Sequence, residues 1–411
     1  MEPSAVSRRE LLDFAVRCGL AAGAASVLPA PARGLSLFAP AEATPLAELL
    51  RSAPVARYWT STAAAAPDCA ACHAAGTLAA GARHEHRPAL VKCLLCSHGC
   101  VLAEGERGRC RARIHVGGEL RTLVYGRPIT EHVDPIEKKP FFHFLPGAQA
   151  FSLATSGCPL RCRFCQNWEI SQASPEDYAV EPRSAEAEAA RAAAARAPIV
   201  AFTYNEPTVF TEYLTDIARA ARRLGLRSAL VSCGFMTAAP LAEMIDVLDA
   251  IKIDLKGFSP DFYREVSGAE LEPVLRSIRQ VARAGRHLEI VNLVVPTLND
   301  SDALLTGLAK WIANEAGPDV PVHFTRFHPD YQLRNLPPTP VATLEWAREI
   351  AMRAGLRYVY VGNVPGHPGN STWCPRCGAL VIERNGFFTL AVHLKDGACA
   401  ACGTKIPGVW A

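Results

Sequence analysis

The chain has 411 residues, 49% of them hydrophobic and 20% charged, which is too long for one small module and too apolar for a disordered or fibrous chain. Its 43 Lys and Arg against 40 Asp and Glu leave a formal charge of +3, so it carries no field suited to nucleic acid or acidic lipid, and small ligands are the expected partners. No apolar run of about 18 residues is free of charge, because Asp13 and Arg17 interrupt the best candidate, and no transmembrane span is expected.

Residues 1–45 read as a leader. Ser7-Arg8-Arg9-Glu10-Leu11-Leu12, an Ala/Gly/Leu stretch and small residues through Ala30-Pro31-Ala32 follow the pattern of a twin-arginine signal, which points to export or membrane tethering. Residues 46–125 hold six grouped cysteines with little apolar periodicity, as expected of a small metal-organised region. Of the 15 cysteines only Cys18 and Cys233 stand outside such groups. Two cysteines separated by two residues bridge each other badly but take adjacent corners of a tetrahedral metal well, so metal ligation is expected over disulfides.

Cys69-Ala70-Ala71-Cys72-His73 has the form of a c-type haem attachment site, with two thioethers and an axial histidine. Zinc completed by His84 or His86 is the alternative. Cys93, Cys96, Cys100 and Cys110 fill a tetrahedral site by themselves, Gly105 and Gly108 allowing the turn between them. Zinc is the expected metal there, and an auxiliary iron–sulfur cluster is the alternative.

From about residue 141 the pattern changes. Apolar runs of strand length at 150–157, 199–207, 227–234, 249–257, 287–296, 320–328 and 357–362 alternate with helical segments at 183–196, 209–224, 239–247, 271–284, 301–316 and 341–354. That order predicts an α/β fold, an incomplete parallel (β/α)6 barrel over residues 126–366 with small Cys-rich regions at both ends. Nearly every strand end delivers a polar side chain, Asn205 and Glu206 after one and Asp254 and Lys256 after another. Residues 367–411 form a separate knuckle. There Cys374, Cys377, Cys399 and Cys402 have the spacing of a zinc ribbon or rubredoxin-like site, holding zinc or iron in a structural role. An auxiliary cluster is again the alternative.

Cys158, Cys162 and Cys165 are spaced by three and then two residues after the first strand of the barrel pattern. Three thiolates so close can wrap one iron–sulfur cubane and leave one iron without a protein ligand. A zinc site with a distant fourth ligand would not need the polar barrel face around it. The C-x3-C-x2-C motif, with Phe164 before its last cysteine, resembles that of the radical SAM superfamily. The resemblance implies a 4Fe-4S cluster and S-adenosylmethionine (SAM), which is cleaved to methionine and a 5′-deoxyadenosyl radical that abstracts hydrogen from an unidentified substrate.

It narrows to the AmmeMemoRadiSam system radical SAM enzymes, akin to the activating enzymes of glycyl-radical enzymes such as pyruvate formate-lyase. Asp134-Pro135-Ile136-Glu137-Lys138-Lys139-Pro140, Cys165-Gln166-Asn167-Trp168, Thr203-Tyr204-Asn205-Glu206-Pro207, Asp254-Leu255-Lys256-Gly257, Arg326-Phe327-His328-Pro329 and Tyr358-Val359-Tyr360-Val361-Gly362-Asn363 carry it. The resemblance does not imply a substrate, because this branch is named for its association with two other protein families; a low-potential electron donor, and a protein substrate or partners from that system, are the expected partners. It also places Asn205 and Glu206 where the superfamily has a Gly-Gly-Glu-Pro-like turn around the SAM amino group, here without the paired glycines. Asp254 and Lys256 match an Asp-x-Lys near SAM, a surface salt bridge being the alternative.

Phe141 to Leu145 reads as a short strand, Pro146-Gly147 as a turn and Ala150 onward as the first barrel strand, an expected antiparallel hairpin. Its return would set Glu137, Lys138 and Lys139 at the mouth of the site. Two function classes besides a general radical SAM enzyme remain open at this point: a glycyl-radical-enzyme activase, and a non-catalytic electron-transfer metalloprotein. Localisation is also open, since SAM and strong reductant are cytoplasmic supplies whereas the leader points outward.

Overall fold

A computed structural model describes residues 43–61 and 89–411. Residues 1–42 of the leader and the Cys69, Cys72 and His73 group lie outside the described residues.

The N-terminal part is built from short pieces. Helix α1 (Leu46–Ser52) is followed by a three-stranded antiparallel sheet of β1 (Trp59–Ser61), β2 (Val91–Cys93) and β3 (Val101–Leu102). A hairpin of β4 (Arg113–Val116) and β5 (Glu119–Thr122) comes next. Gly117 and Gly118 turn that hairpin at φ of 65° and 79°, the left-handed pair that a two-residue connection between twisted strands requires.

The body is one eight-stranded sheet whose spatial order follows the sequence: β6 (Thr130–Pro135), β7 (Gln149–Ala154), β8 (Ile199–Phe202), β9 (Arg227–Ser232), β10 (Ala250–Asp254), β11 (His287–Val294), β12 (Val322–Arg326) and β13 (Val359–Gly362). Strands β7 to β13 are parallel, and β6 runs antiparallel to β7. Helices at Ala185–Ala194, Thr211–Arg223, Ala238–Val247, Leu271–Arg283, Asp302–Glu315 and Val341–Arg353 fill the six crossovers, where the sequence places them. The sheet is open, with β6 and β13 as its edges. Central strands are buried end to end, as in Ile199, Val200, Ala201 and Phe202, because a parallel strand is covered on both faces. One face packs Phe202, Leu230, Ile251, Ile290 and Phe324 against the helices. The other presents the small side chains Ala201, Ala229 and Ala250 to Ile136, Phe141 and Phe144.

That second face corrects the expected hairpin. The partner of β7 is β6, and 141–145 forms no strand. Its amides go instead to a buried carboxylate on β11: Glu289 accepts from Phe142 N at 2.9 Å and from His143 N at 2.8 Å. Burial opposes ionisation of Glu289, but hydrogen bonds from His287 and His323 outweigh it and hold the carboxyl below its ordinary range. Pro135 pairs with Gln149, the first residue of β7, so Glu137, Lys138 and Lys139 enter the inner face from the end opposite the cysteine loop.

At the C-terminus β14 (Thr372–Trp373), β15 (Leu380–Asn385) and β16 (Phe388–Val392) form an antiparallel sheet. Arg384 binds it to the body, donating to Phe142 O at 2.6 Å with its guanidinium 4.3 Å from the Phe142 ring centre, while a 2.9 Å bond to Thr372 Oγ1 fixes it within its own sheet. Among the described residues no helix is long and apolar enough to cross a membrane.

Candidate active site

The carboxyl ends of the parallel strands open on a cavity of about 430 Å³ lined by Cys158, Cys162, Cys165, Asn205, Asp254 and Lys256, among others. Strand ends are where a parallel α/β sheet places its chemistry, because the loops there are free to vary while the strands hold them in register. Gly157 starts the cysteine loop at φ +92°, and a Cβ there would lie 2.3 Å from Cys110 O; only glycine fits. The loop is then tied down by Arg161 N to Ser267 O and Arg163 N to Val266 O, both 2.9 Å. Burial pushes the Cys158 thiol well up, the Cys162 thiol to about 11 and the Cys165 thiol up. Thiolates form there only with a compensating cation, and iron is one that soft sulfur prefers.

Asn205 donates from Nδ2 to Gly157 O at 2.9 Å, while its Oδ1 is buried with no partner. A buried acceptor left open on a cavity wall is suited to a donor on a ligand. Tyr204 before it stands at φ +70°, a left-handed conformation rare for a side chain of that size. This residue therefore adopts without glycine the kind of turn that glycine takes at no cost. Glu206 is already engaged, accepting from Ser232 Oγ and Cys233 N at 2.7 Å each and from Thr208 N at 3.1 Å. It clamps the end of β8 to the end of β9.

Asp254 is paired with Lys252 and, at 3.3 Å, with Lys256. These groups line the cavity, so the surface salt bridge alternative does not hold. Burial opposes the Asp254 charge, but Lys252 and Lys256 outweigh it and hold its carboxyl low. Lys256 is correspondingly held well up: burial works against its charge, but Asp254, Cys162 and Cys233 overcome that.

Glu137, Lys138 and Lys139 line the same cavity, but their setting corrects the expected mouth. Glu137 is 0% and Lys139 3% exposed. Glu137 accepts from Gly147 N at 2.8 Å and Thr389 Oγ1 at 2.5 Å, holding the C-terminal sheet to the body. Asp134 binds Lys138 at 2.8 Å and Lys139 at 2.7 Å, and the Tyr204 hydroxyl at 2.7 Å. The charge run is an inner wall of paired groups because it enters from the amino end of β7. Lys138 alone of the three has a half-exposed side chain.

Asp134, Tyr204, Ser232 and Lys252 are residues to which the sequence reading assigned no role. Lys252 had a usable signal, since residues 252, 254 and 256 share one face of a period-two strand. The Asp134–Tyr204 contact spans 70 residues and left none.

The two cysteine quartets differ. The sulfurs of Cys374, Cys377, Cys399 and Cys402 all lie within 4.8 Å of one another, with Cys374 to Cys402 at 3.6 Å and Cys377 to Cys399 at 3.8 Å. A tetrahedron with zinc–sulfur bonds of about 2.3 Å has edges of about 3.8 Å, so these residues fit one zinc-sized ion. Gly378 and Gly403, at φ 70° and 72°, close the two knuckles. Among the described residues, Cys93, Cys96, Cys100 and Cys110 do not reach that mutual spacing.

The family profile described as Radical SAM superfamily matches residues 152–306. An uncharacterized protein of Methanocaldococcus jannaschii is 42% identical over 318 residues, which cover 77% of this chain and 95% of that protein. The pyruvate formate-lyase-activating enzyme of Streptococcus mutans is 25% identical over 177 residues, 41% of this chain and 66% of that enzyme. The benzylsuccinate synthase activating enzyme of Thauera aromatica is 25% identical over 130 residues, 31% of this chain and 39% of that enzyme. The chain thus spans less than two thirds of the length of either activating enzyme.

Proposed function

We propose that this chain, which belongs to the radical SAM superfamily, cleaves SAM reductively at a 4Fe-4S cluster held by Cys158, Cys162 and Cys165. When bound, the cluster supplies the electron that splits SAM into methionine and a 5′-deoxyadenosyl radical, which abstracts hydrogen from the substrate. The observation that carries this reading is the open Oδ1 of Asn205, buried on the wall of the cavity that the three cysteines line.

The chain's own residues bind and shield. Asn205 Oδ1 accepts from the SAM ammonium group. Asp254, kept ionised by Lys252 and Lys256, gives an anionic acceptor for the hydroxyl groups of the nucleoside end. Glu206 acts at one remove, holding the two strand ends that carry Asn205 and Cys233. The inner wall of Asp134, Lys139 and Tyr204 has its charges paired with one another.

The substrate is proposed to be a protein, since the named relatives act as activating enzymes of other enzymes, and glycyl-radical activation is the form of the reaction they support. The assay uses protein reconstituted anaerobically with dithionite and SAM. 5′-Deoxyadenosine and methionine should form in equal amounts and should be lost in Cys158→Ala. No cleavage by protein with a full, reducible cluster would overturn the reading in favour of an electron carrier.

A further inference from the structure

We infer that the outer edge of β16 is a docking strand: an extended, uncharged segment of the protein substrate, apolar at alternate positions, pairs along it and so has one end at the cavity. The inference rests on the reading of this chain as an enzyme that acts on a protein, and it states how that protein is held.

Composition is the first argument. Among the described residues β16 is an edge of the sheet formed by β14, β15 and β16. Its five residues, Phe388-Thr389-Leu390-Ala391-Val392, carry no charge and no proline. An edge strand offers a row of backbone donors and acceptors to any passing chain, and charged residues or proline ordinarily blunt it. One edge of the large sheet is blunted in that way, since β6 carries Glu131 and Asp134 and ends on Pro135. β16 has none of these devices.

Its side chains point to the same use. Phe388 is 67%, Leu390 59% and Val392 48% exposed, and Phe387 just before the strand is 41% exposed. The exposed positions alternate with the half-buried Thr389 and Ala391. Large apolar side chains gathered in one short run, unlike single ones scattered over a surface, mark contact with another molecule. The strand is also held from behind. Thr389 Oγ1 donates to Glu137 at 2.5 Å, and Arg384, which pairs with Thr389 across the sheet, donates to Phe142 O at 2.6 Å. An edge already fixed in place loses little freedom when a chain pairs with it.

Position names the occupant. Asn385 pairs with Phe388, leaving Gly386, at φ 59°, and Phe387 as the turn between β15 and β16. Phe387 lines the same cavity as Cys158, Cys162 and Cys165. The docking edge therefore begins at the wall of the active-site cavity, and what pairs with the one is presented to the other. Main-chain pairing supplies the hold, and the alternate apolar side chains supply the selectivity.

The test displays random peptides of about twelve residues on phage, long enough at about 3.3 Å per residue to pair along β16 and run past its end. They are selected on the full chain, reconstituted anaerobically, against the same chain carrying Phe388→Lys and Leu390→Lys. Both altered side chains are exposed, so the fold is not at stake. Selected peptides should alternate apolar residues, bind the double variant at least about tenfold more weakly, and slow amide exchange at 386–393. No enrichment over the double variant, or peptides that bind both forms equally, would overturn the inference. So would a dimer in sedimentation that the two lysines split, because a second copy would then cover the edge. The SAM cleavage assay uses no peptide, so a failure there and a failure here are told apart.

Discussion

Lys139 Nζ lies 2.7 Å from Asp134 Oδ2, and the Tyr204 hydroxyl donates to that same oxygen at 2.7 Å. One carboxylate on β6 thus joins the segment entering the sheet to the turn that carries Asn205. Asp134→Asn keeps the shape but leaves a buried ammonium without its counter-charge, which costs about 3–5 kcal/mol. Urea unfolding should show a loss of that size. The pH dependence has a definite sign. Burial opposes the Asp134 charge, but hydrogen bonds from Lys138, Lys139 and Tyr204 outweigh it and hold the folded-state pKa below the ordinary value. Its stabilisation is therefore complete above about pH 4 and lost as the pH falls further. The gap between wild type and variant should shrink below pH 4; a gap that stays constant to pH 2 would refute the pairing.

Gly157 and Gly225 offer a matched comparison. Both have positive φ, but a Cβ on Gly157 meets Cys110 O at 2.3 Å, whereas one on Gly225 meets nothing within 4 Å. Gly225→Ala should lose about 1 kcal/mol from backbone strain alone. Gly157→Ala adds a backbone collision at the joint between the two cysteine regions, so iron per chain after reconstitution should fall by at least half while circular dichroism of the sheet and helices persists. Equal iron in the two variants would show that the contact is dispensable.

The C-terminal quartet should hold one zinc whose removal is felt in the body. Its sheet carries Arg384, which holds Phe142 O, and Thr389, which holds Glu137. Chelation that strips the ion frees the knuckles, since a structural metal contributes its binding energy to folding. Amide exchange at 136–147 should then quicken. Exchange that quickens only at 372–404 would mean the knuckle folds independently of the body.

The crossover helices and parallel strands were legible in the sequence because each is a local period, 3.6 or 2, repeated over enough residues to stand out. The motif of three cysteines in the first loop was legible for a related reason: it is a local spacing confined to eight residues. Legibility failed where a contact replaced a period. Phe141 to Leu145 has the composition of a strand, but its amides are satisfied by Glu289, some 147 residues later, and nothing local announces that. Glu137, Lys138 and Lys139 read as charges at the mouth of the site, yet Glu137 is fixed by Thr389, 252 residues away.

Asn205 supplies the most direct check on the site. Its Nδ2 is committed to Gly157 O and its Oδ1 is open, so the two ends of one amide serve the loop and the ligand separately. Asn205→Asp keeps an acceptor at Oδ1 but exchanges the donor for a second carboxylate oxygen facing Gly157 O. Asn205→Ala removes both. A hydrogen bond to a charged partner contributes about 1.5–3 kcal/mol, or roughly ten- to a hundredfold in Kd. Titration calorimetry with SAM on reconstituted protein should show that weakening for Asn205→Ala at unchanged iron content. Asn205→Asp should lose iron instead, because its fault lies on the loop side. SAM binding unchanged in Asn205→Ala would remove this residue from the ligand contact and with it the observation on which the proposed function rests.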